Sequence, residues 1–121
     1  MPRSERTPQP LAEIAFEPFS TVEEAWFWCV QCRSAQEQGA RVAAGLGRQP
    51  RPCEPLDILT VVERLYRRGR LVSAHLQVLT EYGRQLMRPD PDRPRERKAA
   101  KLWDEAVQAL APQLQDKGIV A

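Results

Sequence analysis

Ser20 to Gln38, STVEEAWFWCVQCRSAQEQ, carries two of the three tryptophans and two of the three cysteines of the 121-residue chain, and how it is read decides the fold. As a helix it opens on a capping box. The Ser20 hydroxyl accepts from the backbone N–H of Glu23, and the Glu23 carboxylate accepts from the N–H of Ser20. At about 100° per residue, Val22, Ala25, Trp26, Cys29 and Cys32 share one face, Trp28 and Val30 point about a quarter turn to either side, and Phe27 points nearly opposite. Three consecutive aromatic residues cannot share one face. The helix is therefore either central and packed on most sides, or it keeps an aromatic face for a partner.

Outward from this helix, Gly39 is placed as its C-terminal cap, and Ala40 to Pro52 (ARVAAGLGRQPRP) is a loop or a short helical turn. Gly45 and Gly47 do not make a phosphate cradle: no Gly-Lys-Ser/Thr follows, and no strand precedes. Pro55 suits the first position of a second helix, with Asp57 in its first turn. Ile58, Val61, Val62, Leu65 and Tyr66 form the apolar stripe of that helix, and Gly69 ends it. Ser73 is the expected N-cap of a third helix with core positions Leu76, Leu79, Tyr82 and Leu86, which Gly83 either ends early or weakens. Met87 to Pro94 has three prolines in eight residues and is a linker. Leu102, Trp103, Ala106, Val107, Leu110 and Leu114 then mark a fourth helix with Gly118 as its stop, kinked or shortened at Pro112. No segment alternates like a strand. The expectation is an all-α single small domain over residues 11–121, with helices near 20–38, 55–68, 73–85 and 95–116 and a central helical hairpin. Residues 1–10 form a flexible tail, and Leu11 to Phe19 forms a short turn or extended arm leading into Ser20.

Composition narrows the setting. The apolar share of 42% is ordinary for a globular chain, and no apolar run reaches the roughly eighteen residues of a membrane span. MPRSERTPQP has no apolar stretch of the secretory kind, so a cytoplasmic location is expected, with the three cysteines as free thiols. The net charge of +2 is unevenly spread. Residues 1–38 hold three Arg against six Glu, residues 39–88 nine Arg against four acids, and residues 89–121 six bases against six acids. The central segment is the basic one.

Chemistry has few candidate seats. The hairpin LTVVERLYRRGRLVSAHLQVLTEYG joins two helices through a glycine turn and its first helix is basic, as in helix-turn-helix readers of DNA. The register departs from that motif. Leu65 stands where a small residue lets the helices cross, Arg68 and Arg70 flank the glycine where apolar residues are usual, and His75 occupies a further apolar position. A longer-turn variant places Ser73, Ala74, Gln77, Thr80 and Glu81 on the open face of the second helix, with Arg64, Arg67, Arg68 and Arg70 on the backbone. The expected nucleic-acid-binding set is therefore Arg64, Arg67, Arg68, Arg70, Ser73 and Gln77, in a small accessory factor of transcription. Phosphate contact requires the four arginines exposed, without paired carboxylates. The competing reading of the hairpin is plain packing with a solvated arginine face.

Phe27 and Trp28 support a second function, that of a protein-interaction module or adaptor, homodimeric in one form, using an exposed ring beside arginines. Cys29-Val-Gln-Cys32 with Cys53 and His75 has the count of a Cys3His zinc site. Its setting in the middle of an amphipathic helix and its long spacings favour buried thiols instead, and no metal is assigned. A redox role for the C-x-x-C would need a helix N-terminus after a strand. Paired acids such as Glu23 and Glu24 or Asp104 and Glu105 are explained by capping and by a polar helix face. Ser20 and Ser73 have no evident base. No enzyme activity, cofactor or small-molecule substrate is indicated.

Overall fold

In a computed structural model, which describes residues 17–38 and 53–121, the chain forms four α-helices and a 3-10 turn. These are α1 Val22–Gln38, α2 Pro55–Arg67, α3 Ser73–Gln85, the turn Pro94–Glu96, and α4 Arg97–Asp116. The all-α class and the four helix positions agree with the sequence reading. The expected tail over residues 1–10, the arm as far as Phe16, the Gly39 cap and the loop from Ala40 to Pro52 lie outside the described residues. No described helix is long and apolar enough to cross a membrane.

The helix α1 is central. It packs against α2, α3 and α4, and successive side chains each meet a different element. The Trp26 indole N–H donates to the Leu79 carbonyl of α3 at 2.9 Å. Phe27 stacks on Trp103 of α4 with centroids 5.7 Å apart. Trp28 meets Phe19 at 5.2 Å, and the Cys29 thiol donates to the Pro55 carbonyl at the start of α2 at 3.5 Å. A run of aromatics that faces every direction is stable only where every direction is covered. Burial extends from this helix through Ile58, Val61 and Leu65 of α2, Leu79 of α3 and Trp103, Leu110 and Leu114 of α4, in one continuous core. Each such side chain contributes about 1.5–3 kcal/mol of transfer free energy.

The caps differ from expectation in two places. At α1 the box is shifted by one residue: Thr21 Oγ1 accepts from the Glu24 N–H at 3.1 Å, and the Glu24 carboxylate accepts from the Ser20 N–H at 2.7 Å. Glu23 is unavailable because it accepts from the Trp103 indole and faces Arg88. At α3 the N-cap is Val72, not Ser73, and His75 Nδ1 accepts the Val72 N–H at 3.0 Å. At α2, Pro55 does open the helix, and Asp57 Oδ2 accepts the Glu54 N–H at 2.8 Å.

The turn between α2 and α3 is a Schellman closure. Gly69, at φ +76°, donates to the Tyr66 carbonyl and Arg70 donates to Leu65, after which Leu71 is buried. Gly118, at φ +74°, ends α4 in the same way, with the N–H of Ile119 on the Leu114 carbonyl. The chain beyond it turns inward, although no apolar period announces this. Ile119 and Val120 are buried, Phe19 donates to the Ile119 carbonyl, and Ala121 donates to the Phe19 carbonyl, both at 2.9 Å. This single parallel bridge ties the entry to α1 to the exit from α4.

Three further details refine the sequence reading. α3 ends at Gln85 as expected, and Gly83 within it is a packing position against α1 and not a stop. α4 runs through Pro112 without losing its last turn. Pro112 is exposed, so the carbonyl that its missing N–H leaves free can be met by water. The Met87–Pro94 linker is held down by the fully buried Pro89 and by the Asp90 N–H on Glu96 Oε1 at 2.9 Å.

Candidate nucleic-acid interface

The arginines of the hairpin gather at one end of the fold. Arg64 and Arg67 stand on the last turn of α2, Arg68 is its C-cap and Arg70 follows the Gly69 turn; all four are exposed. Their position is favourable locally, since cations are stabilised at the negative end of the helix dipole. Arg67 does have a carboxylate, against the expectation that none would: its Nη2 donates to Glu63 Oε2 at 3.0 Å. Both partners are solvent-exposed, so the pair contributes about 0.2–1 kcal/mol and competes weakly with a phosphate. Arg64, Arg68 and Arg70 form no ion pair with any described residue. Arg88 and Arg93 differ. Arg88 faces Asp104 and Glu23, and Arg93 faces Asp90 and Glu96.

Ser73 and Gln77 are exposed one turn apart on α3, with Thr80 and Glu81 continuing the same face. A groove of about 660 Å³ runs along this face, lined by Leu76, Gln77, Thr80, Glu81, Arg84 and Gln85. The central acid of that face, Glu81, is exposed as well.

Tyr66, expected on the apolar stripe of α2, is instead 45% exposed. The stripe ends one residue earlier, at the fully buried Leu65 on the last turn of α2. The signal that could have found it is its place in the final turn before Gly69, among arginines.

The other candidate residues are placed differently. Phe27 and Trp28 are half-buried and packed against the core, so the exposed apolar patch expected at one of them is absent. The large exposed apolar side chains among the described residues are Leu56, Tyr66, Val72, Leu86 and Met87. The Trp28 indole N–H is buried without a partner among the described residues.

The Cys3His set does not assemble. No group of three or more His, Cys, Asp or Glu side chains among the described residues has an arrangement that could hold a metal ion. His75 is committed elsewhere: with Nδ1 accepting from Val72, its Nε2–H donates to Glu105 Oε1 of α4 at 2.9 Å. All three thiols are free and are held protonated at neutral pH. Burial pushes Cys29 up to about 12, helped by the neighbouring Cys32 and Cys53. Burial likewise pushes Cys53 up to about 11, with Asp57 and Glu54 adding to it, and raises Cys32, with Glu54 adding to it. Thiols so disposed are poor nucleophiles and poor metal ligands.

Comparison with protein-family models, with curated proteins and with solved structures finds no match to this chain.

Proposed function

We propose that this protein is a small, non-enzymatic, cytoplasmic accessory factor of transcription that contacts nucleic acid through the arginine end of its α2–α3 hairpin. The observation that carries the reading is the exposed cluster Arg64, Arg67, Arg68 and Arg70, whose one carboxylate partner among the described residues is the solvent-exposed Glu63. Guanidinium groups held at a rigid helix end can reach phosphate oxygens in bidentate fashion without first breaking a buried pair. Ser73 and Gln77 extend the contact surface along α3. Free thiols throughout the described chain accord with a reducing compartment. Phe27 and Trp28, on which the adaptor reading rests, are half-buried and packed against the core.

The test is a fluorescence-anisotropy titration of a labelled mixed-sequence oligonucleotide, as duplex and as separated strands, at low and at physiological salt. Binding that weakens steeply with salt is expected. Arg68→Ala with Arg70→Ala should weaken it evenly across sequences and lower the salt slope by about two. Absence of binding to either form at low salt would refute the reading.

A further inference from the structure

Tyr66 is the one aromatic ring among the large exposed apolar side chains of the described residues, and it lies inside the arginine cluster. Its neighbours along the chain are Arg64, Arg67, Arg68 and Arg70, and Arg67 is the next side chain round the helix on the solvent side. Its carbonyl takes the Gly69 N–H, so its backbone is fixed by the Schellman turn while its ring faces water. No described ring stacks on it and no described group hydrogen-bonds its hydroxyl. Every other described aromatic residue is buried or half-buried.

An exposed ring among cations suits one form of nucleic acid better than the other. In a duplex, bases are stacked on both faces and turned inward, so a surface ring beside the phosphates has nothing to stack on. In a single strand each base offers a free face, and base–aromatic stacking adds to the phosphate contacts.

We infer that the arginine end of the hairpin binds single-stranded nucleic acid, with Tyr66 stacking on an unpaired base while Arg64, Arg68 and Arg70 hold the flanking phosphates. This rests on the phosphate-contact reading proposed above.

The experiment compares labelled oligothymidylate, oligouridylate and a mixed-sequence duplex of equal length against the full chain by anisotropy, at low and at physiological salt. At least one of the single strands is expected to bind more tightly than the duplex, and the tighter of the two assigns DNA or RNA as the source. Tyr66→Ala should lower single-strand affinity by about 5- to 150-fold, with Tyr66→Phe within about twofold of the wild type, as loss and retention of one stacked base require. The salt slope should stay the same in both variants, since no phosphate contact is removed. Equal or tighter duplex binding, or a Tyr66→Ala variant that holds single strands as well as the wild type, would overturn the stacking inference and leave the phosphate reading standing. Failure of all three probes to bind would remove both.

Discussion

Trp26 and Gly83 share a contact with no room for one further atom: a β-carbon at Gly83 would lie 2.8 Å from Trp26 Nε1 and 3.0 Å from Val30 Cγ2. The same indole nitrogen donates to the Leu79 carbonyl, one turn before Gly83 on α3. Glycine is thus what allows α3 to approach α1 closely enough for the bond. Gly83→Ala raises intrinsic helix propensity by about 1 kcal/mol but must displace a buried ring, for a net loss of about 1–3 kcal/mol in urea unfolding. Trp26→Phe removes the nitrogen that the methyl would strike. The double variant should therefore be less destabilised than the sum of the single ones, and strict additivity would show that the clash lies elsewhere.

The helices were legible because their stripes are long and their glycine stops unambiguous, as Gly69 and Gly118 show. The caps were not. STVEE contains two overlapping boxes, Ser20 with Glu23 and Thr21 with Glu24, and only the tertiary demand of Trp103 and Arg88 on Glu23 selects the second. Ile119 and Val120 form too short an apolar run to show periodicity, and their partner Phe19 lies at the far end of the described chain. The arginines of the candidate site were found from sequence because charge stays on the surface wherever the helix packs. Tyr66 was misassigned because periodicity continues to a helix end whether or not a neighbour covers it.

Leu86 is the described non-glycine residue with positive φ, at 55°, and it closes α3 in the left-handed region. A β-carbon there costs roughly 1–2 kcal/mol, of which a glycine returns part to the greater freedom of the unfolded chain. The side chain is 44% exposed, so little packing is lost with it. Leu86→Gly is expected to stabilise the protein by about 0.5 kcal/mol, seen as a higher urea midpoint at unchanged slope. A lower midpoint would mean that the Leu86 side chain contributes more packing than its exposure implies.

His75 joins two elements with one ring, capping α3 through Nδ1 and reaching Glu105 of α4 through Nε2. Sequence could not pair residues thirty positions apart. His75→Ala removes both contacts and should cost about 1–2 kcal/mol, mostly through the lost cap. Glu105→Ala leaves the cap in place and removes only a partly exposed contact, so about 0.2–1 kcal/mol is expected. A glutamate at 75 can restore the cap but sets two carboxylates face to face. His75→Glu should therefore be rescued by Glu105→Gln, and a rescue failure in thermal unfolding would assign the main role of His75 to packing.

The Cys29 thiol gives stability a pH dependence whose sign follows from its burial. Its folded value is raised from 9.0 to about 12, chiefly by desolvation. Below pH 9.0 the thiol is neutral in both states and its contribution is fully present; between 9.0 and about 12 the unfolded chain loses this proton first, so stability falls as pH rises. The steepest loss from this group is about 1.4 kcal/mol per pH unit. The measurement is a difference, which isolates this one thiol: urea unfolding of wild type and Cys29→Ala at steps from neutral to strongly alkaline pH. The alanine variant should start less stable, because it leaves a small void beside Pro55, and should lose less stability on the way up, so that the two curves converge. Parallel curves would mean that the thiol ionises as readily in the folded protein as in the unfolded chain, and that α1 and α2 part more easily at Cys29 than its burial implies.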